Sequence, residues 1–275
     1  MKNYWVRSTI YNLAFYLTSA VYCIALSPSL FMSRETYSRI TDFWVSTVAF
    51  LERAIMGLHY EVIGAENLPK DGAFIIAAKH ESAYETFKLR LLFKDPAFVL
   101  KKELLSIPLW GAYLKKYDVI AIDRGTPEKA LRSLQEGAVR MKEAGRPIII
   151  FPQGTRVKIT DTAKDKPYKS GVIRVQEVTK LPIIPMALNS GVFAPKGSWL
   201  KRPGTVTFKL LKPIAPGKDR QTVMSELEEK LVAMEAESRK KTREDGYKIA
   251  ELEYRLSEAL EGARSISPKE DVPAK

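Results

Sequence analysis

Only two histidines occur in the 275 residues, His59 and His80. His80 directly follows the apolar run AFIIAAK (73–79), and Glu85 stands five positions further on. A helix beginning near Ser82 would put Glu85 in its first turn, where the carboxylate can fold back to the imidazole. A carboxylate on one ring nitrogen fixes the tautomer and raises the basicity of the other, which makes a general base with an orienting acid. The same letters also spell a capping box, with Ser82 as N-cap and Glu85 at N3, and that arrangement implies no chemistry. His59 lacks such a neighbourhood and reads as structural or interfacial.

A second group follows another apolar run, PIIIF, in FPQGTR (151–156). Gly154 permits close backbone approach, Thr155 offers a hydroxyl, and Arg156 offers a planar fork for phosphate or carboxylate. An ordinary strand-to-loop turn with a surface Arg gives the same letters. Arg124 closes VIAIDR (119–124) in a similar way. Three strand ends carrying His and Glu, Arg, and Thr and Arg amount to a base beside an anion clamp. The single cysteine, Cys23, excludes an internal disulfide. With only two histidines beside it, a protein-built zinc site is not expected, so the reading is metal-free.

These groups need strands to hold them. YEVIG (60–64), AFIIAAK (73–79), AFVLKK (97–102), VIAIDR (119–124), PIIIFP (147–152), PIIPMAL (182–188) and VTFKLL (206–211) read as strands. Several are unbroken Val/Ile/Ala runs, as expected of strands buried on both faces. Helical stretches lie between them, most clearly Ser82–Phe93 and Pro127–Ala144. Alternation of this kind predicts an α/β domain with a mixed, mostly parallel sheet flanked by helices, whose reactive groups gather at the carboxyl ends of the strands. The expected organisation is an N-terminal membrane-anchoring two-helix segment over 1–58, the α/β domain over 59–216, charged helices over 217–263 and a disordered tail over 264–275. Met224–Met234 and Tyr247–Leu260 carry the helical periodicity of the third part.

Twenty-six residues between Arg7 and Arg34 carry no charge. A helix from about Tyr4 to Leu26, stopped before Pro28, would just reach across a hydrocarbon layer at ~1.5 Å per residue. Ser8, Thr9, Asn12, Thr18 and Ser19 make it less apolar than a typical span. Tyr37, Ile40, Phe43, Trp44, Thr47, Val48, Leu51, Ile55 and Leu58 follow at helical spacing, an aromatic-rich amphipathic helix suited to the headgroup level. The expectation is a retained anchor, either spanning or lying in one leaflet. The net charge of +12 is concentrated before Gly217, since the remainder holds 12 basic against 14 acidic residues. An anionic partner is expected there, a membrane or a phosphorylated small molecule. Nucleic acid is not expected, because the aromatics cluster in the apolar N-terminus rather than among the Lys and Arg residues.

The ordered set His80-x4-Glu85, KKELLSIPLWG (101–111), VIAIDRG (119–125), FPQGTR (151–156) and LPIIPMAL (181–188) resembles the motifs of the glycerolipid acyltransferases, in particular the PlsC-type 1-acyl-sn-glycerol-3-phosphate acyltransferases. The resemblance covers about residues 60–215. It implies acyl transfer from a thioester, on CoA or acyl carrier protein, to the sn-2 hydroxyl of a lysophosphatidate at a membrane, giving phosphatidate, with no cofactor. It implies His80 as base and Glu85 as its orienting carboxylate. Arg124 and Arg156 would hold the acceptor phosphate, with Lys101 nearby. Gln153, Gly154 and Thr155 would form the third-motif loop, and Pro185 would shape the acyl pocket. Glu85 stands where the family usually has Asp, and Gln153 where it usually has Glu. The alternatives are an acyltransferase for another lysolipid, such as a lyso-ornithine lipid, and a non-catalytic basic membrane-binding protein.

Overall fold

The structure, a computed structural model, describes residues 2–244. The expected helix over 247–260 and the tail over 264–275 lie outside the described residues. Met1–Glu235 makes one compact unit and Ala236–Lys275 a second, of which only the continuation of the last helix to Glu244 is described.

Every apolar run becomes a strand: β1 (Leu58–Ile63), β2 (Ile75–Ala78), β3 (Ala97–Lys101), β4 (Ile120–Ile122), β5 (Ile148–Ile150), β6 (Ile183–Leu188) and β7 (Gly204–Leu210). They form one sheet in the order β1-β7-β6-β2-β5-β3-β4. The five strands from β6 to β4 are mutually parallel. β7 runs antiparallel to β6, and β1 pairs parallel with β7. Successive side chains of a strand point to opposite faces. Ile75, Ala77, Ile148, Ile150 and Ile183 therefore fill one core layer, and Ile76, Ala78, Ile149 and Ile184 the other. Both faces are covered, which is why these strands carry no polar alternation.

The helices are α1 (Lys2–Ala25), α2 (Arg34–Leu51), α3 (Tyr84–Leu92), α4 (Trp110–Tyr117), α5 (Pro127–Glu143), α6 (Gly171–Thr179), α7 (Ser190–Phe193) and α8 (Arg220–Glu244). Helices α5, α6 and α8 supply Leu134, Val172 and Leu227 to the first layer, while α1 and α3 supply Tyr11 and Leu89 to the second. α5 and α3 occupy the stretches read as helical, whereas α4 and α6 lie in stretches given no helix. The amphipathic segment ends earlier than its periodicity suggests. A π-helical turn over Glu52–Met56 and Gly57, at φ 65°, redirect the chain, and Leu58 opens β1.

The sheet order creates a crevice. β2 connects through α3 to β3, passing β5, while β5 connects through α6 to β6, passing β2. The chains leaving these adjacent strands diverge to opposite faces of the sheet, the arrangement in which open α/β sheets hold ligands.

No helix among the described residues is long and apolar enough to cross a membrane. The polar residues of α1 explain its chemistry. Asn12 Nδ2 donates to the Trp199 carbonyl (2.9 Å), Lys201 N–H donates to Ser8 Oγ (2.9 Å), and Trp199 Nε1 donates to Thr9 Oγ1 (3.0 Å). Arg7 Nε donates to the Ile55 carbonyl (2.6 Å) and the Tyr11 hydroxyl to Glu52 (3.1 Å). Glu52 in turn pairs with Lys88 of α3 at 2.5 Å, both buried. One face of α1 is thus bonded to the α/β core. The opposite face leaves Val6, Ile10, Leu13, Leu17, Val21 and Ile24 exposed at spacings of three and four, a continuous apolar stripe.

Candidate active site

The crevice between β2 and β5 is where the sequence placed its chemistry. His80 leaves the end of β2, and its Nδ1 lies 2.7 Å from Glu85 Oε1. The His80 side chain is 19% exposed and Glu85 is fully buried. The imidazole stacks on Phe151, with centroids 4.1 Å apart and planes inclined by 18°. Phe151 opens the loop after β5, so the third motif supplies the platform for the first. The His80 carbonyl accepts the N–H of Val157 at 2.7 Å, a second tie between the same two loops.

Glu85 has further partners. Its Oε1 accepts the backbone N–H groups of Glu81 and Ser82, each at 2.8 Å, which satisfies donors of the turn before α3. Ser82 Oγ accepts the N–H of Tyr84 at 3.1 Å. The N-cap of α3 is Ala83 and makes no side-chain cap bond, so the capping box with Ser82 as N-cap is not formed, and Glu85 instead ties the turn before the helix to His80. Its other oxygen, Oε2, accepts the hydroxyl of Ser190 at 2.6 Å. Ser190 is buried just after β6, the strand of the fourth motif. Four donors surround the carboxylate. With Glu85 so held, Nδ1 is the protonated nitrogen and Nε2 is left with its lone pair.

The cations divide into two places. Arg124 follows β4, where Asp123 organises the turn by accepting from Gly125 N–H (3.0 Å) and Lys102 Nζ (2.9 Å). The Lys102 hydrogen bond holds the Asp123 carboxyl below the usual carboxylate range. Arg124 Nη2 donates to the Gly154 carbonyl at 3.3 Å. Arg156, two residues on from Gly154, instead lines a cavity of ≈ 350 Å³ between α1, the start of α3 and the 194–201 segment. Lys201 lines the same cavity, and burial lowers its pKa. Lys101 is exposed at the end of β3, and no hydrogen bond or ion pair among the described residues joins it to either arginine.

Within the third-motif loop, Gly154 adopts φ 68°, a conformation that favours glycine, and its N–H donates to the Phe151 carbonyl at 2.8 Å. Thr155 is exposed. Gln153 is 3% exposed, and its Oε1 has no hydrogen-bond partner. Pro185 lies inside β6 beside Ala77 of β2, with its carbonyl bonded to Leu211 N–H at 2.9 Å. It does not line the apolar cavity of ≈ 160 Å³, which lies among α1, α2, α3, α4 and β3. Two parts of the site escaped sequence reasoning: the Phe151 platform and Ser190. Each sits directly after a buried strand, the signal that found the other residues.

A family model described as Acyltransferase matches residues 59–189, which contain the His80 and Phe151 loops, Arg124 and β6. Residues 59–189 of this chain match this acyltransferase family. A 1-acyl-sn-glycerol-3-phosphate acyltransferase of Pseudomonas aeruginosa is 36% identical over 173 residues, covering 63% of this chain and 66% of that protein. The protein of the same name from Saccharomyces cerevisiae is 28% identical over 193 residues, covering 68% of this chain and 63% of its own. The chain thus spans a little under two thirds of the length of these curated relatives. The crystal structure of the 1-acyl-sn-glycerophosphate acyltransferase PlsC from Thermotoga maritima superimposes with a TM-score of 0.69 at 23% identity, covering 85% of this chain and 97% of that one. This chain thus shares the fold of that structure.

Proposed function

We propose that the chain transfers an acyl group from an acyl thioester to the sn-2 hydroxyl of 1-acyl-sn-glycerol-3-phosphate, giving phosphatidate. The observation that carries this reading is the His80–Glu85 pair, with its carboxylate held by four donors at the diverging loops of β2 and β5. His80 Nε2 takes the proton of the acceptor hydroxyl. The resulting alkoxide attacks the thioester carbonyl carbon. The tetrahedral adduct collapses, the C–S bond breaks, and the imidazolium returns its proton to the thiolate. Glu85 stabilises the imidazolium between those two transfers. Cys23 lies in α1 and Ser82 Oγ accepts the N–H of Tyr84, so the reading invokes no covalent acyl-enzyme.

We take Arg124 and Arg156, of the second and third motifs, to meet substrate anions at two separate places, Arg124 over Gly154 and Arg156 in the cavity it shares with Lys201. The apolar cavity, walled by residues such as Tyr22, Trp44, Phe87 and Trp110, suits an acyl chain. The exposed stripe of α1, with Phe43 and Phe50 of α2, lodges in one leaflet and brings the site to amphiphilic substrates. The donor is an acyl thioester of CoA or acyl carrier protein.

The test is acyl transfer by the purified full chain in anionic vesicles, with lysophosphatidate, lyso-ornithine lipid and lysophosphatidylcholine as acceptors. Lysophosphatidate should be used best. His80→Ala should lower turnover by roughly 10²–10⁴ while the protein stays folded and vesicle-bound. Near-normal turnover in that variant, or preference for another acceptor, overturns the reading.

A further inference from the structure

Gly154 brings two cations together. A Cβ placed on it would stand 3.3 Å from Lys169 Nζ and 3.5 Å from Arg124 Nη2. The two nitrogens are therefore at most about 7 Å apart, a gap one phosphate group bridges with charge-assisted bonds of about 2.7–2.9 Å on each side. Lys169 is held there by its own backbone, whose N–H donates to the Pro152 carbonyl at 2.9 Å. It thus belongs to the third-motif loop although it lies thirteen residues beyond Arg156 in the chain. Among the described residues neither Lys169 nor Arg124 touches a carboxylate. Elsewhere the protein matches its clustered cations with acids: Arg34, Arg90 and Arg146 converge on Asp95, and Arg174 and Arg220 on Glu177. Like charges held this close without a counter-ion repel, unless an anion arrives between them.

We infer that Lys169, with Arg124, forms a phosphate-monoester site over the Gly154 peptide. The inference rests on the acyl-transfer reading and deepens it. It separates the two motif arginines, since Arg156 faces the cavity shared with Lys201. The site lies on the loop whose Phe151 supports His80, so a phosphate bound there is tied to the base through a single turn of chain. Two substrates could supply the monoester. The acceptor carries one on the carbon next to its reacting hydroxyl, and a CoA donor carries one on its ribose.

The experiment compares the wild-type full chain with Lys169→Ala and Lys169→Arg in vesicles. The Michaelis constants are measured for lysophosphatidate, for acyl-CoA, and for an acyl-pantetheine lacking the ribose phosphate. One substrate's constant should rise about tenfold in Lys169→Ala, the size of one charge-assisted contact, and largely recover in Lys169→Arg. A rise for lysophosphatidate assigns the site to the acceptor. A rise for acyl-CoA but not acyl-pantetheine assigns it to the donor. Binding of sn-glycerol 3-phosphate, followed by phosphorus NMR, is measured in parallel. It should weaken in Lys169→Ala whether or not the chain acylates lysophosphatidate, so failure of the acyl-transfer reading is visible separately. Unchanged constants and unchanged phosphate binding in a folded Lys169→Ala overturn the inference.

Discussion

Replacing Glu85 by Asp, the residue the family usually carries, should damage this protein. Asp is shorter by one C–C bond of about 1.5 Å. The Glu85 carboxylate receives His80, Glu81 N–H and Ser82 N–H at 2.7–2.8 Å and Ser190 at 2.6 Å. Withdrawing it by over 1 Å moves those contacts to roughly 4 Å, outside hydrogen-bond range. The loop cannot simply follow, because the His80 carbonyl is fixed to Val157 and the ring to Phe151. A hydrogen bond to a charged group contributes about 1.5–3 kcal/mol. Losing the one that stabilises the imidazolium should lower kcat by about 10- to 150-fold at 1.36 kcal/mol per tenfold. Stability should also fall, by about 2–4 kcal/mol, because Ser190 and two N–H groups are left unsatisfied in the interior. Glu85→Gln is the companion variant. It keeps the length and loses the charge, so it should lower kcat similarly while unfolding closer to the wild type. The assay is single-turnover acyl transfer in vesicles, paired with urea unfolding of each variant. If Glu85→Asp turns over within about twofold of wild type at unchanged stability, the loop is plastic and the four-donor argument fails.

Arg156→Ala should impair acceptor use far more than donor use, measured as the change in each substrate's kcat/KM, and Arg156→Lys should remain impaired because it keeps the charge without the fork. Equal behaviour of both substrates would remove Arg156 from the acceptor site. Leu17→Asp combined with Ile24→Asp, two exposed positions on the α1 stripe, should lower partitioning into anionic vesicles at least tenfold with unchanged thermal unfolding, by sedimentation and calorimetry. Undiminished binding would place the membrane contact elsewhere.

Much of this was visible in the letters. A strand buried on both faces has no polar positions, so runs such as FIIAA and PIIIF announce themselves, and the residues following them carry the chemistry. Helices α4 and α6 were not visible, for different reasons. α4 starts at Leu109, whose φ of 62° and ψ of −55° close a strained three-residue turn, with Trp110 N–H bonded to the Pro108 carbonyl at 2.6 Å. α6 is rich in Val and Ile, poor helix formers, and is stabilised by the sheet it covers. Ser190 pairs with a residue 105 positions away, and the α1 polar side chains bond to a segment nearly 190 positions away. The end of β6 marks where Ser190 stands, but which distant residue each of these side chains bonds cannot be read from local spacing. Ser8, Thr9 and Asn12 therefore looked like blemishes in a membrane span, when each is a docking contact.

The bonding of α1 to the 199–201 segment and to the Glu52–Lys88 pair has a consequence for membrane growth. The apolar stripe and the His80 crevice belong to one compact unit, so a molecule seated on a bilayer reaches one side of it only. On the acyl-transfer reading, every acyl chain it added would enlarge that monolayer and leave the other unchanged. Sustained turnover would build up area on a single side, and the bilayer would bend unless lipids were carried across at a matching rate. A bilayer-seated acyltransferase bonded in this way to its apolar helix would create a demand for lipid transbilayer movement simply by working.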